Sequence, residues 1–293
     1  MIDNHTLSAV IFVYNEEKYI SQQLDSILNQ TVKIDKIIMV DDFSTDNTKN
    51  IIIKYQKENP QIKYYLSKKK GKIYAYQTGI KLVDTDLFFV CAGDDVLMNT
   101  FVEKLYSLVT KERILYAYAN YVYADENLNP QYSLPKKTFY SCSELIFENY
   151  VSGYLFGYSS IITHLTPLPD ELIFEDWFTS IKLSYIYGKN FIHVEPLFYY
   201  RRHKAASTAT ILTKAKLYFH LDRDIKLYSV ILQESYITNT EIKNIIESRL
   251  FFYQTMRHYS LLKGIKLFLI KHLTLRERIK GLLFPFFVRY KYK

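Results

Sequence analysis

Two adjacent carboxylates, Asp94 and Asp95, follow Gly93 and an apolar run over residues 87–92 and are the first candidates for chemistry in this sequence. Neighbouring carboxylates repel one another unless a cation or hydrogen-bond donors offset their charge. Mg²⁺ and Mn²⁺ take hard oxygen ligands of this kind and bridge the oxygens of a diphosphate. Gly-Asp-Asp is also common turn chemistry, so the pair by itself is compatible with a metal site or with a turn.

Polar side chains also follow two earlier apolar runs, at the points where predicted strands end. They are Tyr14, Asn15 and Glu16 after the first run and Asp41 and Asp42 after the second. A tyrosine ring there can stack on a nucleobase, and a carboxylate can accept hydrogen bonds from a base or a ribose. Each segment is also compatible with a turn followed by the capped, acidic first turn of a helix.

Glu175, Asp176 and Trp177 open a predicted helix in the second half of the chain. One interpretation is structural, because acidic residues are favoured at the positive end of the helix dipole. The other is catalytic, with a carboxylate as general base for a hydroxyl and the only tryptophan of the chain beside it as a stacking surface. The segment itself leaves both open.

Arg201, Arg202 and His203 form a basic segment after a predicted strand over residues 191–200. Such a loop can close over a diphosphate, because arginine binds phosphate oxygens through paired hydrogen bonds, and histidine is a common metal ligand. Solvated arginines and a structural histidine are the alternative.

The elements that must position these side chains alternate along the first half of the chain. Strand-like apolar runs alternate with stretches in which apolar residues recur at helical spacing. This pattern predicts an α/β fold with a mostly parallel sheet, in which ligands bind beyond the carboxyl ends of the strands. Asn15 and either Ser44 or Thr45 are the predicted helix caps, and the predicted strands cover residues 8–14, 36–40, 62–66, 87–92 and 114–123.

Charge and cysteine content restrict the partners and the compartment. The net charge of +8 favours anionic ligands such as nucleotides, phosphorylated lipids or an acidic membrane surface. No nucleic-acid-binding motif accompanies it, so we expect no nucleic acid partner. The two cysteines form no disulfide framework, and we see neither a signal peptide nor a membrane-spanning run. We therefore expect a cytoplasmic protein, with peripheral attachment to the inner face of the cell membrane as an option.

The end of the chain is basic and amphipathic. Residues 211–293 are predicted to be a helical C-terminal extension, and residues 263–293 carry nine Lys or Arg against one Glu, with apolar residues between them. This pattern is typical of segments that bind an anionic membrane surface. A helix packed on the rest of the protein with a solvated basic face explains it equally well.

The order and spacing of these motifs resemble the family 2 glycosyltransferases, which have the GT-A fold. The resemblance runs from about Ala9 to Ser207 and includes VIFVYNEEKYISQQLDSILNQT, IIMVDDFSTDNT, DLFFVCAGDDV, FEDWF and VEPLFYYRRH. It implies a Rossmann-like, mostly parallel sheet flanked by helices within residues 1–210. In that domain, residues 1–124 would be the nucleotide-sugar-binding half and residues 125–210 the acceptor-binding half.

The resemblance also implies roles for single residues. Asp176 matches the general base of the family, and a divalent metal, Mn²⁺ or Mg²⁺, would be held by Asp95 and His203. The implied nucleotide-sugar side consists of Tyr14, Asn15, Glu16, Asp42, Lys72 and Asp94. The implied acceptor or diphosphate side consists of Glu175, Trp177, Arg201 and Arg202.

Two positions depart from the pattern of the family. Ala92 stands where an aspartate is frequent, which we expect to weaken metal binding without abolishing it. Tyr76 lies in a helix segment that usually carries an arginine, and Lys72 is the expected substitute for its donor contact. These departures favour a different subset of donors or reduced activity.

The activity that the resemblance implies is an inverting transfer of a sugar from a nucleoside-diphosphate donor to a hydroxyl of a glycan or lipid-linked acceptor, in surface polysaccharide or lipid-linked glycan assembly. Asp176 would take the acceptor proton in a single displacement, while the metal and the basic loop stabilise the departing diphosphate. One alternative is a catalytically inactive glycan- or nucleotide-binding homologue. Another is a sugar-phosphate nucleotidyltransferase, which would need a Gly-rich phosphate loop where this chain has Tyr-Asn-Glu-Glu.

Overall fold

The computed structural model describes residues 5–134, 136–203, 213–259 and 261–291. The chain divides into two compact units. The first unit consists of Met1–Leu145, Asn149–Leu168 and Phe174–Ser207, and the second unit of Ile146–Glu148, Pro169–Ile173 and Thr208–Lys293. Ser207, where the family resemblance ends, lies outside the described residues. The assignment of a donor-binding and an acceptor-binding half stays a prediction.

A ten-stranded sheet forms the centre of the first unit as far as it is described. The strand order is β3-β2-β1-β4-β9-β6-β10-β5, with β7 paired to β6 and β8 to β10. Neighbours among β1 to β4 are parallel, β6 and β10 are parallel to each other, and β9 lies antiparallel between β4 and β6. The predicted α/β sheet is therefore confirmed, with parallel pairing throughout β1 to β4 and mixed pairing beyond β4. The strands are β1 (Leu7–Val13), β2 (Lys36–Asp41), β3 (Ile62–Leu66), β4 (Leu87–Ala92), β5 (Val96–Leu97), β6 (Tyr116–Ala124), β7 (Pro130–Tyr132), β8 (Phe139–Ser141), β9 (Leu155–Tyr158) and β10 (Lys189–Arg201).

Helices flank this sheet. Residues of α1 (Ile20–Leu28), α2 (Thr48–Glu58) and α4 (Phe101–Lys111) share one apolar core with alternate residues of the strands. α3 (Lys72–Ile80) packs on β1 and β2, where Gly79 allows a close approach, since a Cβ there would lie 2.5 Å from Val10 Cγ1. The remaining helices that begin before residue 188 are α5 (Cys142–Phe147), α6 (Ile162–Leu165) and α7 (Glu175–Tyr187).

Both predicted helix caps are wrong, because the loops after β1 and β2 bind each other before their helices begin. α1 begins at Ile20, while Asn15 has a left-handed φ of 58° and its Oδ1 accepts a hydrogen bond from Thr45 N at 2.8 Å. α2 begins at Thr48, whose N donates to Asp46 Oδ1 at 3.0 Å. The polar residues after β1 and β2 thus form two loops that hydrogen-bond to each other, and they lie outside the helices that follow.

The second unit is helical, which confirms the predicted C-terminal helices. It contains α8 (Lys214–Gln233), α9 (Thr240–Arg257), α10 (Leu261–Lys266) and α11 (Leu275–Lys291). Phe252, Met256, Leu267 and Leu273 belong to its small core. Within the described part of the chain, no helix combines the length and the apolar character that crossing a bilayer requires.

Candidate active site

Four parallel strands bring their carboxyl ends to one edge of the sheet. β1 is followed by Glu16, β2 by Asp42, β4 by Asp94 and β10 by His203. Asp42 N donates a hydrogen bond to Val13 O at 2.9 Å, so the backbone itself ties the end of β1 to the end of β2. The polar residues that the sequence places after separate strands therefore gather at the edge where ligands of such sheets bind.

Glu16, Asp94 and His203 form a cluster, in which each residue offers a ligand atom within 4.8 Å of the other two. His203 Nε2 lies 3.1 Å from Asp94 Oδ2. The ring centroid of Tyr19 lies 4.7 Å from that of His203, which restricts the imidazole. Two carboxylates and an imidazole are a donor set suited to Mn²⁺, and the carboxylates suit Mg²⁺.

Glu16 gives the clearest sign that this cluster accommodates a cation. Its Oε2 atom is buried and has no hydrogen-bond partner among the described residues. Burial, followed by the charges of Asp94 and Asp95, raises the pKa of Glu16 to about 9. A buried acceptor without a donor costs about 1–3 kcal/mol. A cation would supply both the missing partner and the balancing charge, so the residues present fit a divalent metal.

Asp95, the predicted metal ligand, is not part of this cluster, and its role as a ligand stays a prediction. The residue is 1% exposed, and both of its carboxylate oxygens are engaged. Oδ1 accepts a hydrogen bond from Arg201 N at 2.8 Å, and Oδ2 accepts one from the Tyr154 hydroxyl at 2.7 Å. Burial and the adjacent Asp94 raise the pKa of Asp95 well above its usual range. Asp95 thus anchors the loop after β4, and Asp94 faces His203.

The guanidinium of Arg201, predicted to lie beside the diphosphate, makes three hydrogen bonds within the protein. Nε donates to Asp94 O at 2.7 Å, Nη1 to Glu126 O at 2.5 Å and Nη2 to Gln22 Oε1 at 2.6 Å. The residue is 2% exposed. Arg201 therefore fixes the backbone of the loop that carries Asp94, and its role beside a diphosphate stays a prediction.

Asp42 and Tyr14 lie beside the amino end of α3, compatible with the predicted nucleobase site. Asp42 Oδ1 accepts a hydrogen bond from Gly71 N at 2.6 Å, and Gly71 has a φ of 130° that favours glycine. Burial raises the pKa of Asp42. The Tyr14 ring is 45% exposed, with Lys70 Nζ 5.4 Å from its centroid. An exposed ring, a cation and a carboxylate are thus available together. Lys70 was not predicted as a site residue, because it lies outside the motifs of the sequence.

Asp176 lies in the first turn of α7 with one hydrogen bond to each oxygen. Oδ1 accepts from Trp177 N at 2.8 Å and Oδ2 from Asn149 Nδ2 at 3.1 Å. Asn149 Oδ1 is buried without a partner among the described residues. Sequence reasoning missed Asn149, because a contact across 27 positions leaves no local pattern. The carboxylate of Asp176 is thereby oriented while remaining half-buried rather than enclosed.

Lys72 connects the donor side of the site to the Asp176 side. Its Nζ lies 3.0 Å from Glu175 Oε1. Desolvation lowers the pKa of Lys72, whose side chain is 46% exposed, but the charges of Glu175, Asp176 and Asp94 outweigh this effect and raise that pKa. Glu175 is 6% exposed and its Oε2 has no partner among the described residues, and burial raises its pKa. Lys72 is therefore within electrostatic reach of both Asp176 and Asp94.

The ring of Trp177, predicted to be a stacking surface, is buried. It is 7% exposed, and Nε1 donates a hydrogen bond to Leu145 O at 2.6 Å.

Tyr76, at the departure from the family pattern, is likewise buried at 3% exposure. Arg202 is half-buried, with Nη1 3.3 Å from the Tyr132 hydroxyl. Of the four predicted acceptor-side or diphosphate-side residues, Glu175 is thus the one with a buried oxygen still open to a partner.

Comparison with known proteins identifies the family. Residues 8–162 match the family model described as glycosyl transferase family 2. Because this match covers more than half of the sequence, the chain belongs to that family. The glycosyltransferase GlyG of Streptococcus pneumoniae is 29% identical over 122 residues, which are 41% of this chain and 40% of that protein. An uncharacterized glycosyltransferase of Rickettsia typhi is 27% identical over 225 residues, 72% of this chain and 69% of that protein. The chain thus spans less than half the length of GlyG.

Solved structures establish the same fold. S. aureus TarS, residues 1–349 in complex with UDP-GlcNAc, superimposes with a TM-score of 0.63 at 18% identity, covering 95% of this chain and 78% of that one. The mannosyltransferase PcManGT of Pyrobaculum calidifontis, in complex with GDP-Man and Mn²⁺, gives 0.60 at 12% identity, covering 98% and 81%. The predicted GT-A fold is confirmed by these matches.

Proposed function

We propose that this chain transfers a sugar from a nucleoside-diphosphate donor to a hydroxyl group, with Mn²⁺ or Mg²⁺ held by Glu16, Asp94 and His203. The observation that carries this proposal is the three-ligand cluster, in which a buried Glu16 oxygen has no partner among the described residues. Membership of glycosyltransferase family 2 supplies the class of reaction. The neighbours solved with UDP-GlcNAc and with GDP-Man and Mn²⁺ support a nucleotide sugar and a metal.

The donor would lie across the edge formed by the ends of β1, β2 and β4. Tyr14 offers an exposed ring to the base, and Asp42 beside Gly71 offers a carboxylate to the edge of the base or to the ribose. Lys72 would move from Glu175 toward the diphosphate, because a half-exposed ammonium gains more from a dianionic ligand than from one carboxylate.

The transfer itself would be a single displacement with inversion. A bound metal would supply Lewis-acid charge for the leaving diphosphate. Asp176 takes the proton of the acceptor hydroxyl, and Asn149 holds the accepting carboxylate in place. The acceptor oxygen then attacks the anomeric carbon from the face opposite the diphosphate, while Lys72 adds positive charge near the developing anion. The acceptor we propose is a glycan or a lipid-linked glycan, in surface polysaccharide or lipid-linked glycan assembly.

A catalytically inactive binding homologue is the second candidate, because Ala92 and Tyr76 depart from the family pattern. Against it stand the cluster of Glu16, Asp94 and His203, which could hold a metal, and the oriented carboxylate of Asp176. The nucleotidyltransferase alternative loses its support, because the chain belongs to a glycosyltransferase family.

A screen of nucleotide sugars tests the proposal. UDP-sugars and GDP-sugars would be added with Mn²⁺, with Mg²⁺ or with a chelator, and thermal unfolding and release of nucleoside diphosphate would be followed. We expect at least one donor to stabilise the protein in the presence of metal and to be hydrolysed slowly without an acceptor. Binding without any release of nucleoside diphosphate, with every acceptor class tried, would favour the inactive homologue.

A further inference from the structure

The segment from Leu262 to Leu283 in the second unit exposes an unusual amount of apolar surface. The three most exposed large apolar side chains of the described chain are Leu269, Leu262 and Leu275, at 84%, 75% and 66%. In the same segment Leu267 is fully buried and Leu273 is 3% exposed, so the segment has an inner and an outer side. Large exposed apolar patches on a folded surface mark sites of interaction.

The outer apolar side chains are regularly spaced. In α11 they recur every four residues, which places them on one face of the helix. In and after α10 they recur at intervals of three and four. The set, which we call the apolar stripe, consists of Leu262, Ile265, Leu269, Leu275, Ile279 and Leu283.

Exposed basic residues lie next to the apolar stripe. They are Lys263, Lys266, Lys271, Arg276 and Lys280. The acidic residue of this segment, Glu277, accepts hydrogen bonds from Thr274 N and pairs with the buried Arg249, so its charge is balanced inside the unit. Arg278 also faces inward, since its Nη1 and Nη2 donate to the carbonyls of Phe268 and Ile270. The outward charge of the segment is therefore positive.

We propose that this surface binds in the plane of a bilayer that carries anionic headgroups. Apolar side chains interleaved with lysine and arginine are suited to an interface, where the former enter the acyl boundary and the latter contact headgroup phosphates. A second copy of the chain fits worse, because it would bring the same five cations against themselves. The inference goes beyond the proposed transfer reaction, since it concerns where the enzyme works.

Vesicle flotation tests the proposal on the full chain without donor or metal. We expect binding to vesicles of phosphatidylglycerol and phosphatidylcholine, at least tenfold weaker binding to phosphatidylcholine alone, and release by salt. Two variants, L275S/I279S/L283S and R276E/K280E, should each lower the partition coefficient at least tenfold. Matched controls in the first unit, L115S/I186S/V194S and K54E/K57E, should bind like the unchanged protein.

Three results would overturn the proposal. The first is absence of binding to the anionic vesicles at low salt, and the second is equal binding by the stripe variants and the controls. The third is a dimer that buries the apolar stripe, if the stripe variants dissociate this dimer without changing vesicle binding. Circular dichroism and thermal unfolding of each variant show that it remains folded. Nucleotide binding by the unchanged protein is measured separately, so failure of the membrane proposal and failure of the transferase proposal are distinguishable.

Discussion

Lys72 Nζ and Glu175 Oε1 lie 3.0 Å apart and join the first turn of α3 to the first turn of α7. The lysine side chain is 46% exposed, whereas that of the glutamate is 7% exposed. A cation that is accessible from one side and held by a buried carboxylate on the other can turn to an anionic ligand when one arrives. This pair links the predicted nucleotide side of the site to the side of Asp176.

Replacing Lys72 by glutamine should weaken the binding of the nucleotide sugar. The loss of one charge-assisted hydrogen bond corresponds to about tenfold or more in the dissociation constant. Calorimetric titration measures it, with Lys81→Gln at the other end of α3 as the matched control. Equal affinity of both variants would show that Lys72 serves only to hold Glu175.

Replacing Asp95 should mainly lower the stability of the protein, whereas replacing Asp94 should mainly remove metal binding. Asp95→Ala leaves Arg201 N and the Tyr154 hydroxyl without their acceptor, so the free energy of unfolding should fall by at least about 2 kcal/mol. Asp94→Ala should change the unfolding free energy of the metal-free protein by less than about 1 kcal/mol and abolish Mn²⁺ binding. Urea unfolding in a chelator and Mn²⁺ titration measure the two effects. Loss of Mn²⁺ binding in Asp95→Ala but not in Asp94→Ala would instead support Asp95 as the metal ligand.

Asp176→Asn should lower turnover by a factor of about 10² to 10⁴, the range of general-base catalysis, and leave donor affinity unchanged. The amide keeps the shape of the carboxylate but does not accept the acceptor proton. Release of nucleoside diphosphate and calorimetry measure the two quantities, with the exposed Asp170→Asn as control. Full activity of Asp176→Asn would remove this residue from the mechanism.

Metal affinity should rise with pH because of Glu16, whose pKa burial and the neighbouring carboxylates raise to about 9. Below that pH the metal-free residue holds a proton that a cation must displace, so the affinity for Mn²⁺ should increase toward about tenfold per pH unit and level off above about pH 9. The same proton is bound more tightly in the folded than in the unfolded state, so this group makes the metal-free protein less stable as pH rises from about 4.5 to about 9.

Glu16→Gln, which carries no such proton, should bind Mn²⁺ more weakly and with a smaller dependence on pH, whereas the exposed Glu58→Gln should behave like the unchanged protein. Mn²⁺ titrations at a series of pH values, read by electron paramagnetic resonance, compare the three proteins. The same pH dependence in the Glu16 variant would exclude this residue as its source.

The sequence predicted the sheet and the edge that carries the site, since uninterrupted apolar runs followed by polar residues mark the ends of buried strands. It did not predict which of Asp94 and Asp95 faces His203, because that depends on the path of the loop and on Tyr154, 59 positions away from Asp95. For the same reason it did not predict that the side chains of Arg201 and Trp177 are held by hydrogen bonds within the protein. Their partners, such as Glu126 and Leu145, are brought to them only by the fold.

The metal dependence of donor binding tests the central claim most directly. UDP and GDP would be titrated into the unchanged protein and into Asp94→Ala, each with Mn²⁺ and with a chelator. We predict that at least one nucleotide binds the unchanged protein about tenfold or more tightly with Mn²⁺, an advantage of at least about 1.4 kcal/mol, and that Asp94→Ala loses this advantage. Equal affinity with Mn²⁺ and with the chelator, or an undiminished Mn²⁺ effect in Asp94→Ala, would contradict the account.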